Sequence, residues 1–90
     1  PAETAERWGL ISRAVPDDRL DEEIIALATK IAANAPLTVG ALKVTIAEAA
    51  KAEPDLERCA ELVRLCDASE DRVEGQTAFA EKREPMFRGE

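Results

Sequence analysis

Ser69-Glu70-Asp71-Arg72-Val73-Glu74-Gly75, and after three residues Phe79-Ala80-Glu81-Lys82-Arg83-Glu84-Pro85-Met86-Phe87-Arg88-Gly89-Glu90, form the stretch on which the fold turns. Ser69 is a natural helix cap, and acids follow it in the first turn, where the positive end of a helix favours them. The spacing predicts a helix from about Glu70 to Lys82 or Arg83, with Pro85 closing it. Gly75 inside that helix costs about 1 kcal/mol relative to alanine, so either a neighbour packs closely there or the helix is weak. Phe79 stands three residues before Lys82 and four before Arg83, which sets an aromatic ring and two cations on one helix face.

Moving outward, every other segment also reads as helix. Asp67-Ala68-Ser69 breaks the last helix from one that starts after Pro54, with a stripe of Leu56, Cys59, Val63 and Cys66 widened by Leu62 and Leu65. Ala35-Pro36 opens the helix before it, striped by Val39, Leu42, Ile46 and Ala49. Asp17 or Asp18 caps an earlier helix whose stripe is Leu20, Ile24, Leu27 and Ile31. Pro1 to Trp8 is a short leading helix ended by Gly9. Leu10 to Val15 is a brief extended segment, since Pro16 keeps Val15 out of the helical region. The fold class is all-α: four main amphipathic helices plus a short leading helix.

Ninety residues make one domain or a piece of one. A chain of this size buries only roughly 60–65% of its unfolded surface. Alanine supplies 17 residues, against one Trp, two Phe and no Tyr, so each buried side chain brings little apolar area. The core is modest, or an apolar face docks onto something larger. The net charge of −7 leaves no surplus of cations for general nucleic-acid binding. Cys59 and Cys66 would lie about 10.5 Å apart on one helix, beyond the reach of a disulfide. They read as small core residues in a reducing compartment. No run is long enough to span a membrane and no signal peptide is evident. The missing Met before Pro1 fits either its removal or a cut chain.

The chain has no His, which removes Ser-His and Cys-His pairs and His metal ligands. It has no glycine-rich phosphate loop. The acids are scattered as on solvated helix faces. No metal site and no complete active site is expected. The closing stretch has two readings: Phe79 in the core with Lys82 in solvent, or a ring against a flat base with cations on a phosphate.

That stretch, with its acid, Glu-Gly and Phe-x-x-Lys-Arg-x-Pro-x-Phe, resembles the ending of the enoyl-CoA hydratase/isomerase (crotonase) family. Ala5-Glu6-Arg7-Trp8-Gly9-Leu10-Ile11-Ser12-Arg13-Ala14-Val15-Pro16 is similar to the family's Ala-x-x-x-Gly-Leu-Val-x-x-Val-Val-Pro segment. Ile31-Ala32-Ala33-Asn34-Ala35-Pro36-Leu37 with Lys43 also resembles it. The similarity covers the whole chain in order. It implies the C-terminal helical, trimerisation part of a crotonase-like fold, with residues 1–16 as linker from an upstream core and 17–90 as the helical domain.

The resemblance implies an enzyme acting on acyl-CoA thioesters, with hydration of 2-enoyl-CoA in fatty-acid or related degradation as the leading reaction and isomerisation as another. The oxyanion-hole amides and catalytic glutamates would lie upstream, so no catalytic residue is assigned here and the chain alone is expected to be inactive. Phe79 and Lys82 carry over as contacts to the adenosine and 3′-phosphate end of CoA, with Arg83 and then Arg88 behind them. Glu84 departs from the pattern, being an acid where relatives often carry Lys, and lowers the local positive potential. The implied partners are the acyl-CoA substrate, the N-terminal core and further subunits in a trimer or dimer of trimers, with no nucleic acid and no membrane. No cofactor is implied beyond the CoA of the substrate. The location would be cytoplasmic, or the mitochondrial matrix in a eukaryote. The alternative is a free-standing helical interaction or carrier module, for which Asp67-Ala68-Ser69-Glu70 is the nearest approach to a phosphopantetheine site.

Overall fold

A computed structural model describes residues 1–90. It contains helices and no strand: α1 (Ala2–Arg7), a 3₁₀ turn (Asp17–Arg19), α2 (Leu20–Ala32), α3 (Pro36–Ala49), α4 (Leu56–Ala68) and α5 (Glu70–Glu81). The expected short leading helix and four longer ones are all present. The chain divides into two units, Pro1–Lys30 and Ile31–Glu90.

In the first unit, α1 ends as Gly9 predicts. Gly9 adopts φ +73°. Its N–H donates to the Glu6 carbonyl and the Leu10 N–H to that of Ala5, both at 2.9 Å. This pair of bonds satisfies carbonyls that the helix end would otherwise orphan. Residues 10–16 then run as bends and coil, tied back where Glu6 accepts the Ala14 N–H at 3.0 Å. The start of the next helical segment departs from expectation. No side chain caps the 3₁₀ turn; the Arg19 N–H bonds the Pro16 carbonyl at 2.9 Å instead. Arg13 and Arg19 both pair with Glu23.

The stripe expected to be buried on α2 is exposed. Leu20, Ile24 and Leu27 keep 46%, 54% and 55% of their surface. Nothing within the first unit covers them, and Glu23 is the one half-buried residue of α2.

In the second unit α3 packs on α4, and α4 on α5. Here too the expected faces are redistributed. On α3, Val39, Ala41 and Val44 are half-buried and Glu48 is buried, while Leu42, Ile46 and Ala49 are exposed. The physical reason lies in α3 itself, which is apolar nearly all the way round, so periodicity could not select one side. On α4 the half-buried residues are Cys59, Ala60, Leu62 and Cys66, with Leu56, Val63 and Leu65 exposed. Both thiols are free and half-buried rather than fully in a core. The side chains that meet are mostly small, and Ala78 is the one fully buried apolar residue of the chain.

Polar groups shape the connections. Buried Glu48 accepts the Lys51 ammonium at 2.6 Å and the Asp55 N–H at 2.9 Å, bridging the loop from α3 to α4. Asp55 in turn caps α4 by accepting the Arg58 N–H at 2.9 Å. The expected break at Asp67-Ala68-Ser69 narrows to one residue: α4 runs through Ala68 and α5 starts at Glu70. Ser69 makes the junction alone, its backbone extended at ψ 152°. No single helix is long and apolar enough to cross a membrane.

Candidate functional site

α5 carries the candidate residues, and its end is set one to two residues earlier than the spacing predicts. Lys82 sits in the left-handed region at φ 56°, ψ 41°. The Lys82 N–H donates to the Phe79 carbonyl at 3.3 Å and the Arg83 N–H to that of Ala78 at 3.0 Å. This repeats the bond pattern that Gly9 makes at the end of α1. A side chain there costs about 1–2 kcal/mol against an ordinary backbone conformation, which is why glycine dominates such turns. Lys82 is the only non-glycine residue in the chain with positive φ.

Phe79, Lys82 and Arg83 therefore do not share one helix face. Phe79 is 88% exposed, which removes the reading of it as a core residue of this chain. It borders a groove of about 550 Å³ together with Arg72, Gln76, Ser69 and Phe87. The Lys82 side chain makes no hydrogen bond or ion pair. Arg83, by contrast, is fully engaged. Its guanidinium meets both oxygens of Glu74 at 2.6 and 3.0 Å, Glu81 at 2.6 Å and the Glu84 carbonyl at 3.2 Å. Arg88 has a single long pairing, with Glu90 at 4.0 Å.

Two acids on one face of α5 hold the tail, and the sequence reading assigned neither a role. Glu74 accepts the Met86 N–H at 2.7 Å besides Arg83. Asp71, 3% exposed, accepts the Arg88 and Gly89 N–H groups at 2.7 Å each, one per oxygen. Its own N–H donates to the Glu90 carbonyl at 3.1 Å. The tail thus runs back along α5. Phe87 lies 3.5 Å from where a Cβ on Gly75 would stand, so the close neighbour foreseen at that glycine is the tail's own ring. A signal was available: two acids at i and i+3 face a tail stopped by proline and rich in cations.

The hydrogen bond from Arg83, then that from the Met86 N–H, hold the Glu74 carboxyl down from 4.5 to about 2. A carboxyl depressed on folding adds stability that is complete above its ordinary range and is lost as pH falls toward the folded value. The tail is expected to stay attached through the ordinary carboxylate range and to release as the pH nears about 2. The Met86 amide shift, followed by NMR during acid titration, reads this directly. A transition centred near 4.5 would show that the pairing does not hold in solution.

Ser69 is not a free hydroxyl. It donates to the Cys66 carbonyl at 2.7 Å and accepts the Arg72 N–H at 3.2 Å. That is the work of a helix cap, and it engages the serine on which the carrier alternative rests.

The profile of the enoyl-CoA hydratase/isomerase family matches residues 1–90. The chain belongs to this family. Among curated members, it is 36% identical over 90 residues to 2,3-dehydroadipyl-CoA hydratase of Escherichia coli (strain K12), covering 98% of this chain and 35% of that protein. It is 36% identical over 96 residues to carnitinyl-CoA dehydratase of Salmonella typhimurium, covering 98% of this chain and 36% of that one. Among solved structures, an enoyl-CoA hydratase from Mycobacterium tuberculosis H37Rv superposes with a TM-score of 0.88 at 37% identity, over 100% of this chain and 36% of that one. One from Bacillus anthracis gives 0.80 at 35% identity, over 99% and 35%. The chain therefore spans about a third of the length of these family members. Its helices are the crotonase-fold helices of the corresponding region.

Proposed function

We propose that this chain is the C-terminal helical part of an enoyl-CoA hydratase-type subunit, and that it grips the nucleotide end of an acyl-CoA thioester through Phe79 and Lys82. The observation that carries the reading is Lys82 itself: an unpaired ammonium held at a backbone position where a lysine is strained. Strain of this kind persists where surrounding structure enforces it, and it clusters at ligand clamps. The exposed ring of Phe79, three residues earlier, offers a flat apolar face for a base. Arg83, already paired with two carboxylates, serves the turn rather than a phosphate.

Exposed apolar faces on each unit support docking onto an upstream core and onto further subunits, in a trimer or dimer of trimers. Ile24 and Leu27 in the first unit, and Leu42 and Ile46 in the second, are too exposed for an isolated chain to leave uncovered. Hydration of a 2-enoyl-CoA is the reaction favoured, because the named relatives add or remove water on CoA thioesters. The amides that stabilise the thioester enolate and the glutamates that move the proton and the water belong to the upstream part. No cofactor is needed beyond the substrate's own CoA. The compartment is the cytoplasm, or the mitochondrial matrix in a eukaryote.

In the complete enzyme, Lys82→Ala is expected to raise KM for a 2-enoyl-CoA about tenfold, the value of one charge-assisted hydrogen bond, and to lower kcat less. An unchanged KM would reduce Lys82 to a surface residue. The chain by itself is expected to hydrate no 2-enoyl-CoA, and measurable turnover would overturn its place as the non-catalytic part.

A further inference from the structure

We propose that Glu74 and Arg83 are positioning residues for the CoA thioester, acting through Lys82 without touching the ligand. The inference rests on the reading of Lys82 as a CoA contact. Lys82 leaves α5 by a left-handed turn that its backbone would not choose unaided. The residue after it, Arg83, is anchored nine positions back by a two-point pairing with Glu74. The same carboxylate also takes the Met86 N–H, so both sides of the Glu84-Pro85 segment converge on one side chain. With that anchor gone, Lys82 is free to relax to an ordinary backbone region, and its ammonium would leave its place relative to Phe79. Two-point guanidinium–carboxylate geometry fixes direction as well as distance, which a lysine in place of Arg83 could not reproduce.

The test compares two substrates in the complete enzyme: a 2-enoyl-CoA, and the matching N-acetylcysteamine thioester, which lacks the nucleotide. Glu74→Gln keeps an oxygen for the Met86 N–H but removes the ion pair. It is expected to raise KM for the CoA thioester roughly fivefold while changing KM for the truncated thioester by less than about twofold. Arg83→Lys is expected to do the same to a lesser degree, and it stands in if Glu74→Gln does not fold. Glu74→Gln combined with Lys82→Ala is expected to be no worse than Lys82→Ala alone, since both act on one contact. Equal KM increases on both substrates would mean a general loss of structure and would overturn the proposal. So would additive effects in the double variant, which would show that Glu74 acts apart from Lys82. If Lys82→Ala raises KM for the CoA thioester and Glu74→Gln does not, the positioning role fails and the Lys82 contact stands. If neither variant moves KM, both fail.

Discussion

Lys82→Gly is expected to make the complete enzyme more heat-stable and, at the same time, a poorer binder of CoA thioesters. The chain contains its own control for this substitution. Two helix ends, those of α1 and α5, close with the same pair of backbone bonds, and the left-handed position is Gly9 in one and Lys82 in the other. Glycine meets no steric penalty there, whereas lysine carries a Cβ against the following carbonyl. Relieving that contact is expected to gain about 1 kcal/mol, after allowance for glycine's greater freedom in the unfolded chain. In a subunit of ordinary enzyme size this corresponds to a melting temperature higher by about 2–4 °C. The same change removes the ammonium, so KM for the CoA thioester is expected to rise about tenfold. Lys82→Ala separates the two effects, because alanine keeps the Cβ and loses only the charge. Calorimetry and steady-state kinetics on both variants read the result. A glycine variant no more stable than the alanine variant would show that the turn carries no strain.

Asp71→Asn is expected to release the end of the chain. Asp71 is buried, and each of its oxygens accepts one backbone N–H, from Arg88 and from Gly89. Asparagine offers one oxygen and one NH2 group. One amide would keep its partner, and the other would face a donor. The substitution also removes a negative charge from the first turn of α5, where the helix dipole favours it. A buried donor left unsatisfied and one lost charge-assisted bond together cost about 2–3 kcal/mol. The tail has no helix of its own to fall back on, so the loss should appear locally. Arg88 and Gly89 are expected to lose amide protection in hydrogen exchange while the middle of α5 keeps it. Unchanged protection at those two amides would mean that Asp71 is not what holds the tail.

The helices were legible because their punctuation is chemical. Pro36 opens α3, Ser69 caps α5 and Gly9 ends α1, each as its side chain or its lack of one dictates, while the Asp55 cap of α4 was hidden behind the more obvious Pro54. The buried faces were not legible, for a different reason. Within the first unit nothing covers the apolar stripe of α2, and α3 is apolar nearly all the way round, so spacing could not say which side is covered. Leu42 and Ile46 read as core by spacing and are exposed. At the candidate site, Phe79 and Lys82 could be singled out, but the left-handed turn could not, because lysine gives no sign of adopting it. The pairing of Arg83 was not legible either, since its charge was visible and its partner, nine residues back, was not.

The return of the tail also bears on when the second unit can finish folding. Gly89, at φ +78°, approaches so closely that a Cβ on it would stand 3.4 Å from the Pro36 ring. Asp71, meanwhile, waits for the amides of Arg88 and Gly89. The unit's first helix is thus completed by its last residues. On a ribosome, α3, α4 and α5 emerge in order and can form as helices, yet the contacts that close the unit do not exist until Gly89 has been made. Locking of this unit therefore waits for Gly89, and until then α3, α4 and α5 are a partly assembled helix set with their apolar surface uncovered.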